Sequence, residues 1–319
     1  MNIAIIGASG LVGQNFIKAL EEKNVQFDNI KLFTSKRSAG NEIIIKGKTY
    51  IAEELKETSL TKELDYAFFF AGSSISETYV PVCKRLGIIA IDNSSFFRME
   101  SDVPLIAPEV NSESLKNHCG IIANPNCTTI QAVLALKPLH DKFGLKRVII
   151  STYQAVSGAG IEAVRDLENG TTNALKYTIK NNLFPEIDAL LENGYTKEEI
   201  KIINETRKIL ELPDLNITAT CVRVPVKTGH SESISIEFEK EFELEDVIKT
   251  LESAPGIELK NVPKPSDISG KDGVLVGRIR RDESVKNGLN IFVVADNLRK
   301  GAATNALQIM EVLNEKTNI

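Results

Sequence analysis

The stretch MNIAIIGASGLVGQNFIKAL, Met1 to Leu20, decides the fold. Met1 to Ile6 reads as a short buried strand, GASGLVG follows, and GQNFIKALEE carries Phe16, Ile17 and Leu20 at helical spacing. Strand, glycine turn and helix therefore come in that order. Gly7, Gly10 and Gly13 stand three apart and not as G-x-G-x-x-G, but the physical task is similar: small residues let backbone N–H groups approach a pyrophosphate at a helix N-terminus. A tight turn without a ligand is the plain alternative. Its place at the first strand-to-helix junction favours a dinucleotide.

IKLFTS, DYAFFFAG, IIAIDNSS and GIIANPN supply further apolar strands, and ISETYVPVCKRLG between them is helix-like. Strands alternating with helices imply a parallel, doubly wound sheet whose carboxyl edge collects ligands. Beyond about residue 145 the texture changes. KRVIISTYQAV, NITATCVRV, SESISIEFE and LNIFVVAD are longer strands, several with the alternation of a sheet exposed on one face. In TKEEIKIINETRKIL, Thr196 and Glu199 have capping-box spacing, and RKGAATNALQIMEVLNE reads as a last helix. The fold class expected is α/β: a Rossmann-like doubly wound parallel sheet plus a second α+β domain with a mixed sheet. Residues 1–126, completed by a C-terminal helix at 299–319, form the expected cofactor domain, and 127–298 the catalytic, substrate and dimerisation domain.

A chain of 319 residues agrees with two domains, each able to bury a core. Its 38 basic and 43 acidic residues leave a net charge of -5, which argues against nucleic acid as a partner. No apolar run approaches the ~20 residues needed to cross a bilayer, so no membrane partner is expected. MNIAIIG has no basic segment ahead of its apolar residues and reads as a first strand, so a cytoplasmic location is expected. Cys83, Cys119, Cys127 and Cys221 show no C-x-x-C spacing, and only three histidines are present, so no metal site is expected and reduced thiols are the default.

After the second strand, where an NAD-specific fold offers an acidic side chain to the ribose, stand Lys36, Arg37 and Ser38. An arginine and a hydroxyl suit a 2′-phosphate, which favours NADP over NAD; a solvated basic loop is the alternative.

NPNCTTIQAVLALKPLH, Asn124 to His140, raises a separate question. Pro125 restrains the chain, and Ile130, Val133, Leu134 and Leu136 are helix-periodic, so Cys127 falls at or beside a helix N-terminus. Peptide dipoles and unpaired N–H groups there favour the thiolate. A small residue filling a turn is the bland reading. Beside a dinucleotide domain the reactive reading gains weight, because a thiolate next to a nicotinamide suggests one chemistry: addition to an aldehyde, departure of hydride and a thioester left behind.

These motifs together resemble the aspartate-semialdehyde dehydrogenases, in the shorter form common in bacteria and archaea. GASGLVG resembles the family's cofactor turn, SKRSAG its 2′-phosphate loop and DNSSFFRMESDVPLIAPEVN its first substrate segment. NPNCTT resembles its nucleophile motif, TYQAVSGAG its substrate and nicotinamide segment, ETRKIL its charged helix and CVRVPVKTGHSE its acid/base segment, in family order over nearly the whole chain. The resemblance implies Cys127 as the nucleophile carrying an acyl-thioester, His230 as general acid/base, and Gln154 and Asn126 at the reacting centre. It implies Arg98 and Lys208 for phosphate, Arg223 for the α-carboxylate and Glu205 for the α-amino group. Ser9, Gly10, Leu11, Val12, Arg37, Ser38, Asn93, Ser157, Gly158 and Asn297 match cofactor positions. It further implies NADP, inorganic phosphate and a small-molecule substrate as ligands, a homodimer or tetramer, and a product feeding lysine (by way of diaminopimelate), threonine and methionine synthesis.

Residue chemistry is compatible with these roles. A guanidinium matches a carboxylate in two parallel hydrogen bonds. Glu205 and Lys208 stand three apart on a helix, and Glu205 shares an inward face with Ile202 and Ile209; a plain helix ion pair is the alternative. Among the histidines, His140 lies roughly 20 Å along the cysteine helix from Cys127 at ~1.5 Å per residue, which leaves His118 as the rival to His230. Ser9 stands where many relatives have threonine and Ser73 where they often have glycine. An N-acetyl-glutamyl-phosphate reductase would carry glycine at Asn126 and has no use for Glu205. Glyceraldehyde-phosphate dehydrogenases embed their cysteine in a different motif. A short-chain reductase needs Tyr-x-x-x-Lys, and Tyr177 with Lys180 is one residue too close. A non-catalytic NADP-binding redox regulator would not require Arg98, Gln154, Lys208, Arg223 and His230 together.

Overall fold

The computed structural model describes residues 1–317. The chain divides into two compact units, one of residues 1–125 with 302–319 and one of residues 126–301. Asn126 and residues 299–301 thus fall in the second unit.

In the first unit the strands are β1 (Asn2–Ile6), β2 (Asn29–Thr34), β3 (Glu42–Ile45), β4 (Lys48–Ile51), β5 (Glu53–Glu54), β6 (Tyr66–Phe69), β7 (Ile89–Asp92) and β8 (Ile121–Ala123). The main sheet runs β5-β2-β1-β6-β7-β8 with every pairing parallel, and β3-β4 is a separate hairpin. That order is doubly wound, with its switch point between β1 and β6, where such sheets place their ligands. Helices α1 (Leu11–Glu22), α2 (Ser73–Leu86) and α3 (Pro108–Asn111) belong here, as does the C-terminal helix Thr304–Thr317. Phe16 and Leu20 of α1 pack with Ile3, Ile5 and Phe68 of the sheet and with Leu307 and Met310 of the last helix. Rings of Phe16 and Phe68 lie 4.3 Å apart. The last helix therefore completes this core, and its start is a single π-helical segment, Arg299–Ala303. The expected helix at 299–319 extends two residues outside the described ones.

Strands β9 (Leu145–Gln154), β10 (Asn216–Arg223), β11 (His230–Phe238), β12 (Ile257–Leu259), β13 (Val274–Asp282) and β14 (Gly288–Ala295) build the second unit. Their order is β10-β9-β11-β14-β13-β12, with β10-β9 and β12-β13 parallel and the rest antiparallel, which is the mixed sheet expected. Helices α4 (Cys127–Phe143), α5 (Ile161–Asn169), α6 (Lys197–Leu210), α7 (Leu244–Glu252) and α8 (Pro265–Ile268) accompany it. Burial alternates along β9 and β11 as a one-faced sheet requires. Among the described residues no helix is long and apolar enough to cross a membrane.

Two glycines of the first turn have steric reasons. Gly7 has a φ of +86°, and a Cβ there would sit 2.6 Å from the Phe70 carbonyl oxygen. A Cβ on Gly13 would stand 2.3 Å from the Gly7 carbonyl oxygen, so only glycine lets α1 start this close to the end of β1. Because the obstacle is backbone, Gly13→Ala should destabilise the protein by about 1–3 kcal/mol and weaken dinucleotide binding. Thermal unfolding and cofactor titration check this; an unchanged Tm would contradict it.

Candidate active site

The first unit carries Ser9, Gly10, Leu11, Val12, Arg37, Ser38 and Asn93 of the expected cofactor residues, while Ser157, Gly158 and Asn297 fall in the second. Gly10 is the N-cap of α1 and supplies no side-chain acceptor, which leaves the first-turn N–H groups of Leu11, Val12 and Gly13 to meet an anion. Ser9 lies in the same turn. A cavity of about 290 Å³ opens beside it, lined by Gly7, Thr34, Lys36, Glu54, Ala71 and Tyr79 among others. Arg37 is exposed and Ser38 half-buried on a short 3-10 turn, Lys36–Ser38, directly after β2. The glycine cradle, the free helix terminus and the adjoining cavity fit a dinucleotide. At the end of β7, buried Asp92 accepts from Ser76 Oγ, Ser94 N and Ser94 Oγ, which pins the loop that follows. On that loop Asn93 Oδ1 accepts from Asn124 Nδ2 at 2.7 Å, and Arg98 donates to the carbonyls of Asn124 (3.0 Å) and Asn93 (2.7 Å).

In the second unit the chemistry begins at α4. Cys127 is its first residue and half-buried. Asn126 is its N-cap: Oδ1 accepts from Thr128 N at 2.9 Å and lies 3.7 Å from Cys127 Sγ. Both donor groups of Asn126 are held by carboxylates of α6. Its backbone N–H donates to Glu205 Oε2 at 2.7 Å, and its Nδ2 to Glu198 Oε1 at 3.0 Å. Glu205 is buried beside Ile202 and Ile209, the inward face expected of it, with Lys208 half-buried one turn on.

The sheet presents the remaining groups at one end. Gln154 closes β9 beside Arg223, which closes parallel β10; His230 opens antiparallel β11 against Ala295, which closes β14. Gln154 donates from Nε2 to Glu198 Oε1 at 3.1 Å and accepts from Thr152 Oγ1 at 3.0 Å. Arg223 Nη1 donates to the Ala155 carbonyl at 2.6 Å. His230 Nδ1 accepts from Ala155 N at 3.0 Å, so the neutral ring carries its proton on Nε2, a buried atom with no partner among the described residues. Burial, then the charge of Arg223, push the His230 pKa well below its ordinary value and keep the ring neutral. A Cβ on Gly158 would lie 3.2 Å from His230 Nε2 and 3.4 Å from Arg223 Nη1, so the glycine keeps open the space before both. Asn297 holds the neighbouring turn, donating to Ser157 Oγ at 2.9 Å and accepting from Gly229 N at 2.9 Å.

The other candidates separate cleanly. Burial pushes the Cys83 thiol up to about 12 and the Cys221 thiol higher still, which makes both unreactive. His118 stands at the amino end of β8 with Nδ1 accepting from Gly120 N, whereas NPNCTT leaves the strand's carboxyl end. His140 lies in the last turn of α4 and accepts from Leu145 N. Tyr177 bonds Glu186 and Lys180 bonds the Glu168 carbonyl, so they form no pair.

Sequence reasoning overlooked three residues. Glu198 joins Asn126 and Gln154, which stand far from it in the chain. Gly301 packs on Cys127, for a Cβ there would be 2.9 Å from Cys127 Cβ. Glu232 is wholly buried two residues after His230. Its row of the sheet is Cys221, Thr152, Glu232 and Val293. Among the described residues neither carboxylate oxygen has a hydrogen bond of good geometry, although Gln131 of α4 lies near enough to favour the charged form slightly; burial dominates and raises the pKa well above the carboxylate range. Gly301 alone had a visible signal, a glycine opening a helix.

Comparison with known proteins gives the class. Residues 2–118 match the family model described as "Semialdehyde dehydrogenase, NAD binding domain", and residues 136–300 the one described as "Semialdehyde dehydrogenase, dimerisation domain". The chain is 48% identical to an aspartate-semialdehyde dehydrogenase of Aquifex aeolicus, covering 98% of this chain and 97% of the relative. Its structure is similar to that of aspartate semialdehyde dehydrogenase II of Vibrio cholerae complexed with ASA, with TM-score 0.94, 40% identity and 98% of each chain covered. It is also similar to an aspartate semialdehyde dehydrogenase of Candida albicans solved with NADP, with TM-score 0.79, 27% identity, and 100% of this chain and 99% of that one covered. The chain belongs to the aspartate-semialdehyde dehydrogenase family.

Glu232 makes stability depend on pH. Its folded pKa is raised, so between the unfolded value of ~4.3 and the folded one the native state holds a proton that the unfolded chain has lost. That contribution is full at low pH and is lost as pH rises through this window. Glu232→Gln, permanently neutral, escapes the loss, so its Tm should gain on wild type between pH 5 and pH 8. A difference in Tm that stays flat with pH would contradict the buried, protonated acid.

Proposed function

We propose that the chain is an NADP-dependent aspartate-semialdehyde dehydrogenase that reduces L-4-aspartyl phosphate to L-aspartate 4-semialdehyde and releases phosphate, reversibly. The carrying observation is Cys127 at the first position of α4, half-open, in a unit that also presents a neutral buried imidazole and a buried arginine at one sheet end. Aligned amides at that terminus favour the thiolate, and Arg223 is near enough to interact with its charge.

The thiolate attacks the acyl carbon, a carbon–sulfur bond forms, and the carbon–oxygen bond to phosphate breaks with its electron pair going to phosphate. When bound, the dinucleotide supplies the hydride that reduces the resulting acyl group. His230 Nε2–H is the donor suited to the carbonyl oxygen as it becomes an alkoxide. Collapse of the alkoxide frees the aldehyde and returns the electron pair to sulfur. The general acid/base role that the resemblance implies is thereby narrowed: the second nitrogen of His230 is occupied by Ala155 N–H, which supports donation of a hydrogen bond over acceptance of a proton.

Arg223 and Glu205 are read as partners of the α-carboxylate and α-ammonium, Arg98 and Lys208 as partners of phosphate, and Gln154 and Asn126 as the polar lining beside sulfur. Ser9 to Val12, Asn93, Ser157, Gly158 and Asn297 are the cofactor's contacts. NADP is supported by Arg37 and Ser38 on a turn that carries no acid, and by the Candida albicans relative solved with it. A homodimer is supported by the match to a dimerisation domain. The product feeds lysine, threonine and methionine synthesis on this reading.

Steady-state assay of phosphate-dependent reduction of NADP and NAD, with L-aspartate 4-semialdehyde and N-acetyl-glutamate semialdehyde, tests the reading. The expected result is faster turnover with NADP and a kcat/KM for the first substrate at least ~100-fold above the second. Preference for the acetylated substrate would overturn it. Cys127→Ser should lower kcat by ~10³-fold or more without unfolding the protein; ordinary turnover in that variant would remove the nucleophile.

A further inference from the structure

The carboxylate of Glu198 is the group on which two active-site amides converge. It is buried, 6% exposed, at the second position of α6. Thr196 caps that helix and Glu199 completes the capping box; Glu199 Oε1 also accepts from Cys221 N, which docks the helix terminus on β10. Glu198 is thus carried to a fixed place by a terminus anchored on both sides. One oxygen, Oε1, accepts from Asn126 Nδ2 at 3.0 Å and from Gln154 Nε2 at 3.1 Å. The other lies 3.4 Å from Lys201 Nζ, itself held by Asp188 at 2.8 Å. An anion buried here is stabilised by the α6 terminus, by two amide donors and by one cation.

An asparagine or glutamine side chain can turn over by 180°, exchanging donor for acceptor, unless its partners forbid it. Here they forbid it twice. With Nδ2 held on Glu198, Asn126 must direct Oδ1 to the first turn of α4, where it caps Thr128 N beside Cys127. With Nε2 held on the same oxygen, Gln154 must direct Oε1 to Thr152. A carboxylate is acceptor-only, so it reads both amides in one sense; a donor at that place would reverse both.

We propose that Glu198 is a positioning residue for the reaction: its Oε1 sets the orientation of the Asn126 and Gln154 amides, and through Asn126 the first turn of the helix that bears Cys127. This rests on the reading of Cys127 as nucleophile. Gln at 198 can still present a carbonyl oxygen to both amides, whereas Asp, one methylene shorter, withdraws it while keeping charge and burial.

The test is steady-state kinetics of wild type, Glu198→Gln and Glu198→Asp, with Cys127→Ser as control. Glu198→Asp should lose kcat by about 10²-fold, as expected for a misplacement near 1 Å, with the substrate KM within ~3-fold. Glu198→Gln should recover kcat to within ~5-fold of wild type. In a Gln154→Ala background the Glu198→Asp loss should shrink, since one of the two amides is gone. Wild-type kcat in Glu198→Asp, equal damage in Glu198→Gln, a loss confined to KM, or full additivity with Gln154→Ala would each overturn the proposal. If Cys127→Ser also turns over normally, the functional reading fails with it; if Cys127→Ser is inactive while Glu198→Asp is not, only the role of Glu198 fails.

Discussion

The amino terminus of α4 is the constraint from which the site follows. A helix leaves its first N–H groups without intrahelical partners, and a sulfur at the first position sits where those groups and the aligned peptide dipoles are felt most strongly. Asn126 makes that terminus definite. Its side-chain oxygen caps Thr128, its backbone N–H is held by Glu205 and its amide nitrogen by Glu198, so every polar group of this one residue that could drift has a named partner. Cys127 inherits its place from the residue before it.

Such an arrangement gathers buried charge, and the unit answers it by different means. Glu198 and Glu205 each accept from amide donors. Arg223, whose burial depresses its pKa, is offset by the charge of Glu198. Glu232, one row deeper, has no good partner among the described residues, and burial drives it toward the neutral acid. His230 is kept neutral by the same burial, aided by Arg223. The titratable groups of β10 and β11 are therefore sorted by burial and local partners and not by average polarity.

What could be read in the sequence was what local chemistry dictates. The strand, glycine turn and helix of residues 1–22 were legible because periodicity and glycine spacing are short-range, and so were the Thr196–Glu199 capping box and the position of Cys127 at a helix mouth. The β3-β4 hairpin was not, since its turn places Lys46, with φ of 50°, where asparagine or aspartate usually marks a positive φ. Strand β13 was hidden by a break: Gly277 yields to the Lys260 carbonyl, Arg278 takes a φ of 51°, and the register shifts. Glu198 could not be found by pattern. Its partners stand 72 and 44 residues away, and nothing in TKEEIK distinguishes a buried acceptor from an ordinary acidic first turn.

The central claim is that this terminus holds the Cys127 sulfur ionised. The direct measurement is the rate of Cys127 alkylation by iodoacetamide as a function of pH, followed by mass spectrometry so that exposed Cys119 is counted separately. The account predicts a titration midpoint for Cys127 below the ~8.5 of a free cysteine. A midpoint for Cys127 at or above that value would contradict it.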